Sequence, residues 1–304
     1  MFMHIASKLR LAAALAASAW GAPALADKAL NMPEGVTELS HKIYDLHMEI
    51  FWWCVGIAIV VFGVMIYSII KFRKSAGAVA DTKLTHSTRV EIAWTLVPIA
   101  ILVIMAVPAA RTLIEIEDTR GSEISIKVTG YQWRWHYDYL DRGVSFFSTL
   151  ARSSNAARQL GSGIDPTTVP HYLLDVDRPL VIPAGTKVRL LLTANDVIHA
   201  WWVPDFGMKK DAIPGFVNEL WINADEHKTG TYRGQCAELC GRDHGFMPIV
   251  VEVKSKEDFA AWLSAQQEAA RQAATPTTPD AEPVAANDSA AAATSVASNI
   301  AQTQ

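Results

Sequence analysis

Two uninterrupted apolar runs constrain this sequence more than any other feature. No charged residue occurs from Ile50 to Ile70, and none occurs from Ile92 to Ala110. A helix of about 20 apolar residues is long enough to cross the roughly 30 Å hydrocarbon core of a bilayer. Each run therefore predicts a membrane-spanning helix, at about residues 46–71 and 90–113. Together they predict a transmembrane hairpin within residues 27–119.

The first residues have the three parts of a secretory signal. Lys8 and Arg10 precede an apolar stretch over residues 11–20, and Ala24-Leu25-Ala26 follows, with a small residue on each side of Leu25. We predict cleavage after Ala26, which makes residues 1–26 a signal peptide. A short uncleaved anchor is the alternative, although the apolar stretch is too short to span a bilayer.

The charges that flank the apolar runs predict the orientation of the hairpin. The connection between the runs is basic, whereas the segment after the second run is acidic. The basic residues are Lys71, Arg73, Lys74, Lys83 and Arg89, and the acidic ones are Glu115, Glu117 and Asp118. Because cytoplasmic loops carry an excess of Lys and Arg, we expect the connection to be cytoplasmic. The sequence thus predicts a multi-pass protein of the bacterial inner membrane, with everything after Arg111 on the periplasmic side.

The sequence pattern of residues 120–270 predicts an all-β domain. Short runs of β-forming residues alternate with Gly and Pro, as in a β-sandwich or barrel. These runs are Ile124 to Val128, Tyr131 to Tyr139, Leu180 to Ile182, Lys187 to Thr193 and Met247 to Val253. We expect a long loop over residues 148–168 and a helix over residues 256–270. Residues 271–304 are mostly Ala, Thr, Pro and Ser, which predicts a disordered tail.

Charge and cysteine usage exclude some classes of protein. A formal net charge of -4 argues against nucleic acid as a partner. Three cysteines are too few for a disulfide framework. Cys54 lies within an apolar run, where a thiol behaves as a small hydrophobe. Cys236 and Cys240 lie in the exported part, where a free pair tends to oxidise unless a metal holds it.

The segment that ends at Met247 concentrates metal-binding side chains. It contains Cys236, Cys240 and His244, and these soft donors suit copper better than magnesium or calcium. A mononuclear blue-copper site needs only one thiolate, so the second cysteine suggests two sulfurs bridging two copper ions. His199 is the best candidate for a second imidazole. A disulfide or a zinc site is the alternative, but Met247 and the lack of C-x2-C spacing count against zinc.

Several motifs together resemble the cytochrome c oxidase subunit II family. The hairpin, the segments 196–204 and 211–215, and the loop from Cys236 to Met247 carry the resemblance, which extends from about Leu46 to Trp262. It implies that the β domain is a cupredoxin-like Greek-key sandwich. It also implies a mixed-valence copper pair, called Cu(A), in that domain.

The resemblance assigns a role to each residue around the loop. Cys236 and Cys240 would be the bridging thiolates, and each copper would bind one imidazole, from His199 or His244. Met247 and the backbone carbonyl of Glu238 would be weak ligands. The Glu238 side chain would bind magnesium at the boundary with the catalytic subunit, subunit I, and carboxylate oxygen is a suitable donor for that ion.

Four further residues match functional positions of the family. Trp133 would receive electrons from cytochrome c, although alternating aromatic residues on a strand are usually a packed face. Asp138 and Asp196 match acidic positions that attract lysines of the donor. Glu91 matches a glutamate near the mouth of a proton channel in subunit I. Arg134 departs from the family, which often has an aromatic residue there.

Neither apolar run contains a histidine and the chain has no Cys-x-x-Cys-His motif, so the oxygen chemistry must belong to a partner. The resemblance implies that electrons pass from cytochrome c through Cu(A) to haem in subunit I. Oxygen would be reduced to water there, coupled to proton translocation. Three alternative functions are open. A quinol-oxidase subunit would lack the copper ligands, and nitrous-oxide reductase lacks this hairpin. The third alternative is a copper-storage or delivery protein.

Overall fold

The structure is a computed structural model that describes residues 31–79, 83 and 85–274. The predicted signal peptide, residues 1–26, lies outside the described residues. The same is true of residues 275–304, which are most of the predicted tail.

Two long helices form the hairpin. Helix α1 spans Glu38–Lys71 and helix α2 spans Thr88–Glu117. Both are long and apolar enough to cross a membrane. Pro98 and Pro108 lie inside α2 without ending it, as membrane helices allow. Both helices extend beyond the predicted bounds, because polar residues outside the apolar runs continue the start of α1 and both ends of α2.

Ten strands follow the hairpin and form two five-stranded sheets. The strands are β1 (Ile124–Tyr131), β2 (Arg134–Tyr139), β3 (Val144–Ser148), β4 (Leu180–Pro183), β5 (Val188–Ala194), β6 (His199–Val203), β7 (Met208–Ala212), β8 (Asn218–Ile222), β9 (Gly230–Cys236) and β10 (Pro248–Lys254). The strand order is β3-β2-β1-β5-β8 in one sheet and β4-β10-β9-β6-β7 in the other. Most neighbours are antiparallel, but β1–β5 and β4–β10 are parallel.

The two sheets share one core, because their buried side chains form a single cluster. Trp135, Tyr137 and Tyr139 alternate along β2 and are fully buried, as expected for one packed face of a strand. The Tyr139 hydroxyl donates to the carbonyl of Val181 at 2.7 Å, which links the first sheet to β4 of the second. The predicted hairpin followed by an all-β sandwich is thus confirmed.

The aromatic run from Tyr131 to Tyr139 is divided between two strands: Tyr131 ends β1, and Arg134–Tyr139 form β2. Tyr131 pairs with Arg134 across a turn made of Gln132 and Trp133. Neither turn residue is a Gly, Asn or Asp, so the usual signal of a tight hairpin is missing from the sequence. The turn places Trp133 at the end of the sheet.

Two shorter helices lie outside the sheets. Helix α3 spans Arg152–Ala157, within the stretch predicted to be a long loop. Helix α4 spans Lys256–Ala274, past the predicted end at residue 270. Ser255 begins α4, since its hydroxyl accepts from the Asp258 amide at 3.0 Å.

A set of backbone hydrogen bonds joins the beginning of α1 to the β domain. The Val36 amide donates to the carbonyl of Asp205 at 2.9 Å, and the Asp225 amide donates to the carbonyl of Val36 at 3.0 Å. Thr37 caps α1 in a capping box with Ser40, and its hydroxyl also donates to the carbonyl of Phe206 at 3.1 Å. We call these contacts the seam. The seam fixes the sandwich against the hairpin.

Candidate metal centre

Strand pairing brings the predicted metal ligands together. Strand β6 begins at His199 and pairs with β9, where Trp201 lies opposite Cys236. The chain then turns through residues 237–247, which we call the ligand loop, and enters β10. A 3-10 turn at His244–Phe246 directs the end of this loop back toward the cysteines. The sheet therefore joins residues that are distant in the sequence.

Six groups converge at this end of the sandwich. Cys240 Sγ lies 3.5 Å from His244 Nδ1 and 3.6 Å from Met247 Sδ. Cys236 Sγ lies 3.9 Å from His199 Nδ1 and 3.4 Å from the Glu238 carbonyl oxygen. The two sulfurs are 3.9 Å apart, and both thiols are free and buried. Even without the other groups, His199, Cys236 and Cys240 lie close enough together to hold a metal ion.

The protein environment favours a thiolate at Cys236. Burial opposes its ionisation, but hydrogen bonds from His199 and from backbone amides outweigh burial and lower the pKa to about 7. Burial and the neighbouring charge of Cys236 raise the pKa of Cys240. Metal ligands must be deprotonated, so one of the two thiols is prepared for metal binding near neutral pH.

Asp196 orients the imidazole of His199. His199 is fully buried, and its Nε2 lies 2.9 Å from Asp196 Oδ1. Backbone amides of Gln132 and Val197 each donate to the same carboxylate at 2.7 Å. Burial opposes the charged imidazole, but the hydrogen bonds to Cys236 and Asp196 raise the pKa of His199. Such a carboxylate fixes the tautomer and the ring orientation of a metal-binding histidine.

Neighbouring atoms also pack closely around the imidazole ring of His199. A Cβ atom at Gly130 would lie 2.7 Å from His199 Cδ2, which is too close for any side chain. The ring of Trp135 packs edge-on against the imidazole, with centroids 5.8 Å apart. The histidine is therefore held by contacts on several sides.

Trp133 links the protein surface to the ligand loop. Its Nε1 donates to the carbonyl of Cys240 at 3.1 Å, and the Gln132 side-chain amide donates to the same oxygen at 2.9 Å. One hydrogen bond thus connects the indole to a residue whose sulfur lies in the cluster. Gln132 had no signal in the sequence, because its partner is more than a hundred residues away.

Arg158 contacts the ligand loop from the segment that follows β3. Its Nη1 lies 3.5 Å from Asp243 Oδ1, and its guanidinium carbon lies 4.3 Å from the ring centroid of Phe246. These two loop residues flank His244. A cavity of about 220 Å³ lies beside this contact, lined by Trp133, Leu150 and five polar or aromatic neighbours. Sequence reasoning missed Arg158, because the contact is formed only in the folded chain.

The remaining predicted side chains lie apart from the cluster. Glu238 contributes its carbonyl to the cluster, while its side chain is exposed. Asp138 lies on the outer face of β2, directly opposite Lys127 of β1. Glu91 lies in the first turn of α2, at the end of the hairpin remote from the β domain.

Comparisons with known proteins match both parts of the chain. The profile described as "Cytochrome C oxidase subunit II, periplasmic domain" matches residues 124–254. The profile described as "Cytochrome C oxidase subunit II, transmembrane domain" matches residues 26–111. The "Probable cytochrome c oxidase subunit 2" of Rickettsia bellii (strain RML369-C) is 42% identical over 236 residues, which cover 77% of this chain and 82% of the relative.

The chain belongs to the cytochrome c oxidase subunit II family. The corresponding protein of Rickettsia prowazekii (strain Madrid E) is 44% identical, over 76% of this chain and 70% of its own length. The crystal structure of the periplasmic domain of subunit II of cytochrome oxidase from Bradyrhizobium japonicum is 40% identical. It covers 50% of this chain and 98% of that domain, with a TM-score of 0.42.

Membership of this family confirms the resemblance found in the sequence. The chain is a subunit of a cytochrome c oxidase complex. Its two apolar helices and the match to the family's transmembrane domain make it a membrane protein.

Proposed function

We propose that this chain receives electrons from cytochrome c at a binuclear Cu(A) centre and delivers them to haem in subunit I. The observation that carries the proposal is the convergence of two free thiols, two imidazoles and a thioether at one end of the sandwich. Oxygen reduction and proton pumping would then be the work of the whole complex. The second thiol separates this donor set from a one-copper site.

The donor set fits a copper pair. Cys236 and Cys240 would bridge the two ions, and His199 and His244 would each bind one. Met247 and the Glu238 carbonyl would complete the site as weak ligands. When bound, the copper pair would supply one-electron oxidation and reduction with little ligand rearrangement.

The surrounding residues keep the ligands in place. Asp196 holds one nitrogen of His199, so that the other nitrogen faces Cys236. Trp135 donates to the Met247 carbonyl at 3.3 Å and fixes the end of the ligand loop. A site held by residues with fixed rotamers needs little reorganisation when an electron arrives or leaves.

Trp133 is the proposed point where electrons from cytochrome c reach the chain. The indole is partly exposed, and its Nε1 bonds to the Cys240 carbonyl. This contact gives a short covalent and hydrogen-bonded path from the surface to Cys240 Sγ. Asp138 and Asp196 stay candidate contacts for lysines of the donor.

Two other residues have proposed roles at the boundary with subunit I. We propose that the exposed carboxylate of Glu238 binds magnesium at that boundary, which suits an oxygen donor. We also propose that Glu91, at the cytoplasmic end of α2, lies near the mouth of a proton channel. The proposed function requires the β domain on the periplasmic side of the bacterial inner membrane, as the charges around the apolar runs predict.

Electron paramagnetic resonance of the full chain, purified in detergent and loaded with copper, tests the proposal. We expect hyperfine splitting from two equivalent copper nuclei in the partly oxidised protein. Cys236→Ser and Cys240→Ser should each abolish that pattern, because one bridging sulfur is lost. Cys54→Ser is the matched control and should leave it unchanged, since Cys54 lies in α1, outside the cluster.

A one-copper spectrum, or no bound copper with Cys236 and Cys240 joined in a disulfide, would contradict the proposal. Copper that binds but leaves rapidly to a mild chelator would instead support a storage or delivery protein. Retention of copper is therefore measured on the same sample.

A further inference from the structure

The segment between β3 and β4 is anchored at its two ends. It comprises residues 149–178, which we call the arm. The Thr149 amide and hydroxyl donate to the Asp177 carboxylate at 2.7 and 2.8 Å. The Asp177 amide donates back to the Thr149 carbonyl at 3.0 Å. These hydrogen bonds hold the beginning and the end of the arm together beside the sandwich.

Helix α3 lies within the arm and sets the position of Arg158. Ser154 and Ala157 of this helix are buried, and the Ser154 hydroxyl accepts from the Leu173 amide at 3.1 Å. Arg158 is the C-cap, and its amide donates to the Ser154 carbonyl at 3.0 Å. Its Nε donates to Asn155 Oδ1 at 2.8 Å. The arm therefore fixes both the backbone and the guanidinium of Arg158.

The guanidinium of Arg158 contacts the ligand loop on both sides of His244. Its Nη1 lies 3.5 Å from Asp243 Oδ1, and its guanidinium carbon lies 4.3 Å from the ring centroid of Phe246. Only 23% of the Arg158 side chain and 17% of the Asp243 side chain are exposed, so this ion pair is screened less than a surface pair. The Asp243 carbonyl also accepts from the Phe246 amide at 2.9 Å. Arg158 thus bridges the two residues between which the 3-10 turn closes.

The two imidazoles of the cluster differ in how they are supported. His199 is fully buried, and Asp196 Oδ1 lies 2.9 Å from its Nε2. His244 is only partly buried, and no carboxylate among the described residues forms an ion pair with its ring. The position of His244 therefore depends on the backbone of the turn that carries it.

We propose that Arg158 is a positioning residue for the copper pair, which holds His244 in place through its contacts with Asp243 and Phe246. This inference rests on the proposed function and adds a residue that supports one of the two copper ions. The arm acts on His244 from outside the sandwich, whereas Asp196 acts on His199 directly. Residues that orient metal ligands commonly change metal affinity by about 10- to 100-fold.

Hydrogen exchange of the metal-free full chain in detergent tests the positioning without copper. The readout is the exchange of a peptide that covers residues 241–247, measured by mass spectrometry. In Arg158→Gln this peptide should exchange about three- to tenfold faster, because the turn loses an ion pair and a cation–π contact. Arg152→Gln is the matched control, since Arg152 is exposed at the start of the same helix. Its exchange should equal that of the wild type.

The copper-loaded full chain gives the second readout. In Arg158→Gln the hyperfine splittings from the two copper nuclei should become unequal, because only the ion bound by His244 loses support. Copper should also leave to a chelator about tenfold faster. Arg158→Lys keeps the charge but loses the planar group that stacks on Phe246. It should be intermediate between the wild type and Arg158→Gln in both readouts.

Exchange and copper release at wild-type rates in Arg158→Gln would overturn the inference. Equal acceleration in Arg152→Gln would also overturn it, because the effect would then belong to the arm in general. If Arg158→Gln does not fold, Arg158→Lys decides by the same measurements, and wild-type values in it count against the inference. Failure of the proposed function looks different. The wild-type chain would then lack the two-copper spectrum, while exchange of the metal-free loop would still depend on Arg158.

Discussion

Single residues around His199 decide whether the cluster can hold a metal. Gly130 leaves no room for a Cβ atom beside the imidazole. We predict that Gly130→Ala displaces His199 and lowers copper binding at least tenfold, which is a loss of about 1.4 kcal/mol or more. Copper titration followed by the two-copper spectrum measures this effect.

Gly245→Ala is the control for that substitution. Gly245 lies in the ligand loop itself, yet a Cβ atom there would meet no atom within 4 Å. Copper binding should therefore be unchanged. Equal losses in both alanine variants would contradict the steric explanation and indicate a general effect on the loop.

The two thiols should titrate separately in the metal-free protein. Because the pKa of Cys236 is lowered to about 7 and that of Cys240 is raised, one thiolate should form as the pH rises through about 7. We predict that alkylation by iodoacetamide in a Cys54→Ser background follows this single step. His199→Ala should move the step to higher pH, since its hydrogen bond favours the thiolate. A step that stays near pH 7 in that variant would contradict the assignment.

The sequence predicts the residues of the metal cluster better than the residues that support it. Four candidate ligands lie within one short loop, and their chemistry can be judged from type and spacing alone. Gly130, Gln132 and Arg158 contact the cluster or the ligand loop only because segments distant in sequence become neighbours. Their residue types carry no chemical signal, so a sequence pattern could not identify them.

At the scale of elements, the cap of α1 has two partners. The Thr37 hydroxyl accepts from the Ser40 amide and donates to the Phe206 carbonyl. We predict that Thr37→Ala lowers the free energy of unfolding by about 0.5–2 kcal/mol, the range for a lost N-cap. Thermal unfolding of the full chain in detergent, followed by near-ultraviolet circular dichroism, measures the change.

Ser87→Ala is a matched control, because Ser87 is the N-cap of α2 but makes no capping hydrogen bond. Its unfolding temperature should equal that of the wild type. A loss of stability in Ser87→Ala as large as that in Thr37→Ala would show that the cap and its bond to Phe206 are not the cause.

Helices and strands differ in how well the sequence predicts them. The two apolar runs determine α1 and α2 because a bilayer requires a fixed length of apolar helix. The helix ends depend on capping and on the seam, which the apolar pattern does not contain. The turn at Gln132 and Trp133 lacks the usual turn residues, so the sequence pattern places the break between the first two strands before Tyr131, whereas β1 ends at Tyr131.

At the scale of the whole molecule, the orientation in the membrane can be measured. We predict that a membrane-impermeant maleimide labels Ser122→Cys in intact cells whose outer membrane has been opened. Ser75→Cys should react only after the inner membrane is broken, because the predicted orientation places the connection between α1 and α2 in the cytoplasm. The background carries Cys54→Ser, and the labelling of this background without a new cysteine is subtracted, because Cys236 and Cys240 remain as free thiols. Reversed labelling of the two positions would contradict the predicted orientation.

The seam imposes an order in time on the making of this protein. Val36 is synthesised about 170 residues before Asp205, its hydrogen-bond partner. The early segment must therefore wait until the later one has been translated and has reached the same side of the membrane. The seam forms only when Val36 meets Asp205 and Asp225 on the same side of the membrane. A completed seam therefore requires that the beginning of α1 and the β domain lie on the same side of the membrane.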